Sequence, residues 1–331
     1  MKDSKIEWTT HTFNPWQGCT RVSPGCQHCY AETMMDKRYG KVKWGPLGKR
    51  IRTSADYWKQ PLKWNREAVA AGERRRVFCA SLADVFEDKP DQPEMNEWRT
   101  ELFDLIYETP WLDWLILTKR PENVLRMVPW MFHHPDFFGW PSNVWIGTSV
   151  ENQEQADKRI PELLKIPAAV RFLSVEPMLG PVDLHSSWAI GGQFCHKCGG
   201  FGWYDEDDVV CPRCVQPGWT THAKIHWVIV GGESGPEARP MNPDWARGIR
   251  DQCREARVPF FFKQWGEWGE YYFAGQFGIP ALVENGTLLK AGVPCLDIDG
   301  VHMVRVGKRR AGRQLGGREW NEFPDVGGKG R

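Results

Sequence analysis

Apolar residues in this chain fall into short runs, separated by longer stretches of helical period. VFCASLADVF, WLILTKRPEN, VWIGTSVENQ, VRFLSVEPMLG, IHWVIVGGESG and PFFFKQWGEW are each rich in Val, Ile, Leu, Phe or Trp and end in polar residues; TFNPWQGC is a seventh run of this kind. Continuous apolar runs of this length read as strands buried on both faces. Between them, DQPEMNEWRTELFDLIYE, PENVLRMVPWMF, NQEQADKRIPELLKI and NPDWARGIRDQCREAR repeat apolar positions at helical spacing, the first entered through Asp91, Pro93 and Glu94. Strand–helix alternation predicts an α/β fold with a parallel sheet and helices outside it. Seven or so such units predict a TIM-like (β/α) barrel, complete or partial, with a doubly wound open sheet as the alternative.

The polar residues at the strand ends recur too regularly to be turn chemistry alone. They are Ser81 and Asp84; Thr118, Lys119 and Arg120; Thr148, Ser149, Glu151 and Asn152; Ser174 and Glu176; Gly231, Gly232, Glu233 and Ser234; and Lys263 and Gln264. Barrels carry their chemistry where strands run into the following loops, so the set predicts a ring of groups around one site. Asp84 and Asn152 read equally well as turn or helix-cap residues.

Composition narrows the class. The chain has 331 residues, 41% of them apolar and 26% charged, with a formal net charge of +1. No run approaches the ~18 apolar residues of a membrane span, and MKDSKIEWTTHTF lacks the apolar core of an export signal, so a cytoplasmic protein with no membrane partner is expected. Most of the 19 Trp are expected to pack in the core. Neither a Gly-x-Ser-x-Gly elbow nor an HExxH helix occurs, which counts against the common hydrolase routes.

Seven of the ten cysteines are clustered. In a reducing compartment, clustered thiols read as metal ligands. Cys195, Cys198, Cys211 and Cys214 form two CxxC knuckles on a polar, Gly-rich stretch with little aliphatic core of its own. That pattern predicts a structural zinc in a four-thiolate ribbon, inserted where a barrel helix would be expected. Cys19, Cys26 and Cys29, spaced Cys-x6-Cys-x2-Cys, follow the first predicted strand. Three thiolates suit a [4Fe–4S] cluster with one iron left open, or zinc if His11 or His28 adds a fourth ligand. Cys79 and Cys253 sit on an apolar strand and an amphipathic helix and read as core residues.

These elements, taken as an ordered set, carry a resemblance. A cysteine trio after the first strand, followed by Tyr30, Ala31 and Glu32, resembles radical S-adenosylmethionine enzymes. The ordered set GCTRVSPGCQHCYAE, FCASLADVFED, LTKRPEN, GTSVENQ, SVEPMLGP, VGGESGP, FFKQWGEW and GREWNEFP resembles more closely a phage- and prophage-encoded three-cysteine-motif family related to them. The first cysteine gap is six residues here, against three in the standard radical spacing. The resemblance implies that Cys19, Cys26 and Cys29 hold a [4Fe–4S] cluster. It also implies that S-adenosylmethionine is cleaved there to a 5′-deoxyadenosyl radical, with electrons from an external donor, in the bacterial host cytoplasm. From position and charge, Glu233 is the first choice for the methionine ammonium, with Ser149, Ser174, Gly231 and Gly232 as further cofactor contacts. Glu176, with Ser149 and Ser174, is a candidate to grip the carboxylate or ribose hydroxyls, Lys119 and Arg120 are the candidates for an anionic group, and Asp84 and Glu151 remain general candidates.

GERRRVF and VGKRRAGR are basic stretches, and RYGKVKWGPLGKRIR interleaves basic residues with Tyr39 and Trp44. They make a nucleic-acid or nucleotide substrate an expectation, with a solvated face as the plainer reading. A zinc-stabilised nucleic-acid-binding protein without radical chemistry is the alternative function, and a carboxylate-based barrel hydrolase or lyase a third. A partner protein is a further expectation. The expected organisation is a barrel first part with the cluster loop at 1–185, the zinc ribbon at 186–224, the rest of the barrel at 225–270, and an appendage with a basic tail at 271–331.

Overall fold

The computed structural model describes residues 4, 6–128, 140–185, 192–195, 201–203, 222–270, 283–284, 287–288 and 295–325. For 192–195, 201–203, 222–223, 283–284, 287–288 and 295 only the backbone is described. Cys198, Cys211 and Cys214 lie outside these residues, and of Cys195 only the backbone is included.

The apolar runs form one seven-stranded sheet: β1 (His11–Phe13), β2 (Arg75–Cys79), β3 (Leu112–Thr118), β4 (Val144–Ser149), β5 (Val170–Val175), β6 (Trp227–Gly231) and β7 (Phe260–Gln264). Each strand pairs in parallel with the next in sequence, and β1 and β7 are the two edges. This sequential order, with helices on one face, is that of a partial barrel. It excludes the doubly wound alternative, whose strand order reverses part-way.

The period-two alternation sorts side chains to two cores. Outward-facing Val77, Trp114, Ile116, Val144, Ile146, Leu173, Val228, Phe260 and Phe262 meet the helices α1 (Gln60–Ala71), α2 (Glu94–Tyr107), α3 (Gln153–Leu164) and α4 (Pro243–Glu255). Inward-facing Phe78, Leu115, Trp145, Val170, Phe172, Trp227, Ile229 and Phe261 fill the interior together with Trp8. Gly147 is needed there: a Cβ at that position would lie 2.3 Å from the Phe172 ring. Helices α3 and α4 start on Asn152 and Asn242, whose side chains accept the backbone N–H of Gln155 and Asp244.

The open edge of β7 is covered by a segment far along the chain. The Phe262 N–H donates to the Trp320 carbonyl at 3.0 Å and the Glu322 N–H to the Phe260 carbonyl at 3.2 Å. Beyond it, Phe323 packs against Trp227 and Phe261, with the Arg76 guanidinium 3.8 Å above its ring. Phe323 thus stands between β6 and β7 on one side and Arg76 of β2 on the other, and closes the floor. Among the described residues no helix is long and apolar enough to cross a membrane.

Candidate active site

The inward positions of the strands change character at their C-terminal ends. After Phe78, Leu117, Gly147, Phe172, Ile229 and Phe261 come Ala80, Lys119, Ser149, Ser174 with Glu176, Glu233 and Lys263. They open onto a cavity of about 550 Å³ whose lining also includes Cys19, Cys26, Cys29, Asp84, Arg120, Gly232, Ser234 and Gln264. The residues singled out at the strand ends are therefore brought together, with Glu151, Thr148, Asn152 and Gly231 outside the lining.

The loop from Cys19 to Cys29 is held by groups from three strand ends. Glu151 is fully buried; one oxygen accepts the Gly25 N–H at 3.0 Å and the other an N–H of Arg159 at 2.8 Å. A Cβ on Gly25 would lie 2.9 Å from the Glu151 carboxyl carbon, so glycine is required at this contact. Glu233 accepts three N–H bonds from Arg239, at 2.6, 2.8 and 2.9 Å, and lies 3.3 Å from His28 Nδ1. Arg239 in turn donates to the Pro24 carbonyl at 3.1 Å and to Gln27 Oε1 at 3.3 Å. Arg120 donates to Asp84 at 2.8 Å and the Thr20 carbonyl at 2.8 Å, and its Nη1 lies 3.7 Å from Cys19 Sγ.

These pairings redistribute the expected roles. Arg120 is only 8% exposed and already faces Asp84, so of the two cations proposed for an anionic ligand Lys119 is the available one; its Nζ reaches Ser149 Oγ at 3.1 Å. Glu151 works from behind the loop, not in the cavity. Glu176 does face the cavity, with the Lys263 ammonium 2.8 Å from both its oxygens. Gly232 lines the cavity, but its missing Cβ makes room for protein: one there would lie 1.9 Å from the Trp265 carbonyl oxygen. At Gly231 the nearest atoms are those of the Glu176 carboxyl, 3.2 Å away. Arg239 and Arg159 escaped the sequence reading; an arginine six residues beyond Glu233 in GGESGPEAR was the available signal.

The charges are tuned by these contacts. Burial disfavours ionisation of Asp84, Glu151 and Glu233, yet Arg120, Arg159 and Arg239 beside them, with backbone N–H donors, hold all three below the usual carboxylate range. Burial, helped by the Asp84 carboxylate, pushes the Cys19 thiol up to about 12, and burial also raises Cys29. A bound cation reverses that preference by favouring thiolate.

An all-sulfur donor set suits iron–sulfur chemistry or zinc better than hard cations. Among the described residues, no three His, Cys, Asp or Glu side chains are close enough to hold a metal ion. Three thiols nonetheless line one cavity from a single loop, which is the donor set a cluster with an open iron requires. Two buried atoms of lining residues also have no hydrogen-bond partner, the donor Trp8 Nε1 and the acceptor Gln264 Oε1. The Gln264 amide nitrogen faces Glu176, Ser234 and the Gly232 carbonyl, which fixes which way the amide points. Both residues line the cavity, and these two atoms have no partner among the described protein groups.

A family model for proteins of unknown function, DUF5131, matches residues 3–324. The chain belongs to this family. Its family model spans the cysteine loop, all seven strands and the segment that closes the floor. No curated protein matches the sequence. Among solved structures, the chain is similar to a double mutant of spore photoproduct lyase with bound AdoMet and dinucleoside spore photoproduct, at TM-score 0.42 and 11% identity, covering 94% of this chain and 72% of that one. That likeness is too distant to assign a fold or an activity to this member of DUF5131.

Proposed function

We propose that this protein is a radical S-adenosylmethionine enzyme of the phage-type three-cysteine kind, with Cys19, Cys26 and Cys29 holding a [4Fe–4S] cluster. The observation that carries this reading is the convergence of three thiols from one pinned loop on a cavity ringed by strand-end polar groups. When bound, the reduced cluster supplies one electron for reductive cleavage of S-adenosylmethionine, ultimately drawn from an external donor.

The chain's own residues bind, orient and exclude. Both Glu176 and Glu233 are paired, with Lys263 and Arg239, and Glu176 is the carboxylate better placed for the methionine ammonium because its side chain is 20% exposed against 6% for Glu233. Lys119, Ser149 and Ser174 form one wall and can hold a carboxylate or hydroxyls. Trp8, Phe78 and Leu117 give the cavity an apolar floor against which a planar heterocycle can pack. A structural zinc in the 186–224 ribbon belongs to the same proposal.

The test is anaerobic reconstitution with iron and sulfide, reduction, and EPR with and without S-adenosylmethionine. The expected result is a four-iron signal that changes when S-adenosylmethionine is added. No cluster, with about two zinc ions per chain as two thiolate sites would predict, overturns the radical reading in favour of a zinc-stabilised nucleic-acid binder.

A further inference from the structure

Many of the arginines among the described residues are matched by carboxylates. Arg50 pairs with Glu87, Arg52 with Glu101, Arg74 with Asp113, Arg75 with Glu67, Arg126 with Asp88 and Arg247 with Asp244 and Glu270. This removes the run at Arg74–Arg76 from any basic surface, since Arg76 is stacked on Phe323. Unmatched exposed cations such as Lys63, Arg66 and Lys158 are scattered over the outer helices, but in two segments they cluster. Lys37, Arg38, Lys41, Lys43 and Lys49 are all exposed, as are Lys308, Arg309 and Arg310. None of the eight has a carboxylate within 4.0 Å among the described residues.

Both segments reach the same place. Trp44 from the first and Lys308 from the second line the cavity. The first follows β1 and its Gly45 N–H donates to the Cys19 carbonyl at 3.0 Å; the second follows β7 and its Gly312 carbonyl accepts the Trp265 N–H at 3.2 Å. Since β1 and β7 are the sheet edges, the cations flank the side on which the partial barrel is open. Apolar surface is concentrated there as well. Of the seven large hydrophobic residues exposed among the described residues, Val22, Tyr30, Tyr39, Leu47 and Ile51 lie between residues 22 and 51, and Leu47 is 94% exposed. Arg38 and Lys41 lie 5.4 and 5.7 Å from the Tyr39 ring centroid. Among the lining residues Glu7 is the one exposed acid, and exposed Asp91, held by Lys89, lies beside Pro46.

We infer that this rim is a docking surface for single-stranded nucleic acid, with one nucleotide presented to the cavity. Unmatched cations interleaved with exposed aromatic and aliphatic side chains fit a phosphate backbone with unstacked bases. The recessed site favours a single strand over a duplex, because a group at the floor is out of reach of a base still in its stack. The inference goes beyond the radical reading and stands or falls separately from it.

The experiment uses the full chain, as purified and after reconstitution, with fluorescein-labelled 12-nucleotide single-stranded DNA and RNA, the corresponding duplex, and polyglutamate as a polyanion control. Anisotropy should show binding of a single strand that weakens steeply with salt. A log–log slope of about −3 is expected if four or five phosphates are neutralised. The triple variant K41E/K43E/K49E should weaken binding at least about 30-fold at low salt and flatten the slope by about 2. K63E/R66E/K158E, three reversals on the outer helices, should leave binding unchanged. Thermal melting of both variants checks folding. Absent or salt-independent binding, equal binding of polyglutamate, preference for the duplex, or equal loss in the two variants would each overturn the inference. Preference between the DNA and RNA strands identifies the substrate backbone. Iron content and EPR on the same samples report the cluster independently, so failure of either idea is visible without the other.

Discussion

Arg50 and Glu87 show how much of this molecule is decided by pairs distant in sequence. The Arg50 guanidinium is buried, donates two N–H bonds to Glu87 at 2.6 and 2.7 Å, and also reaches the Gly45 and Gly48 carbonyls and Thr20 Oγ1. Removing one partner leaves a buried charge uncompensated, so Glu87→Ala should cost about 3–5 kcal/mol in urea unfolding. His226 provides a pH test. Burial pushes its imidazole down to about 4, and its Nδ1 accepts the Arg171 N–H at 3.0 Å. Between the usual histidine value near 6.5 and about 4, the unfolded chain binds a proton that the folded chain refuses. Stability from this group is therefore full above that window and falls as pH drops through it. Urea midpoints of His226→Gln should decline less than wild type between those pH values. Residue types at the strand ends were legible in the sequence; their occupancy was not. Arg120 and Glu151 looked available because Asp84 and the Gly25 amide, 36 and 126 positions away, are brought to them only by the sheet.

At the scale of elements, the seven apolar runs did predict the seven strands, because β-branched and aromatic runs buried on both faces leave little ambiguity. Helix α1 was harder to see: Pro61, Trp64 and Ala68 mark its buried face, but charged neighbours dilute the stripe. The cysteine loop is the element with the most to say about function. Its first gap is longer than the usual radical spacing, yet those residues are tied down by Glu151, Arg239 and Arg120. Gly25→Ala forces the loop away from Glu151 and should lower the iron retained after reconstitution severalfold, with the far-ultraviolet circular dichroism unchanged. Retention equal to wild type would mean that the clamp does not position the thiols.

For the whole molecule, the arrangement divides into a closed, aromatic floor and an open, charged rim. Trp320 anchors the covering segment, packing on Phe260 with its indole N–H on the Leu315 carbonyl at 2.9 Å. Trp320→Ala should cost about 3–5 kcal/mol, read from denaturant midpoints, because it both leaves a cavity and uncovers the β7 edge. The same layout bears on how the protein is made. Six of its sheet pairings join neighbours in sequence, so the sheet can grow strand by strand as the polypeptide is synthesised. Phe323 comes after all of them. Until it arrives, Trp227 and Phe261 face an open floor, and a ribosome-bound or prematurely terminated chain presents a finished mouth over an unsealed, sticky interior. Such chains are expected to be clients of chaperones, and sealing waits until residue 323 has been made.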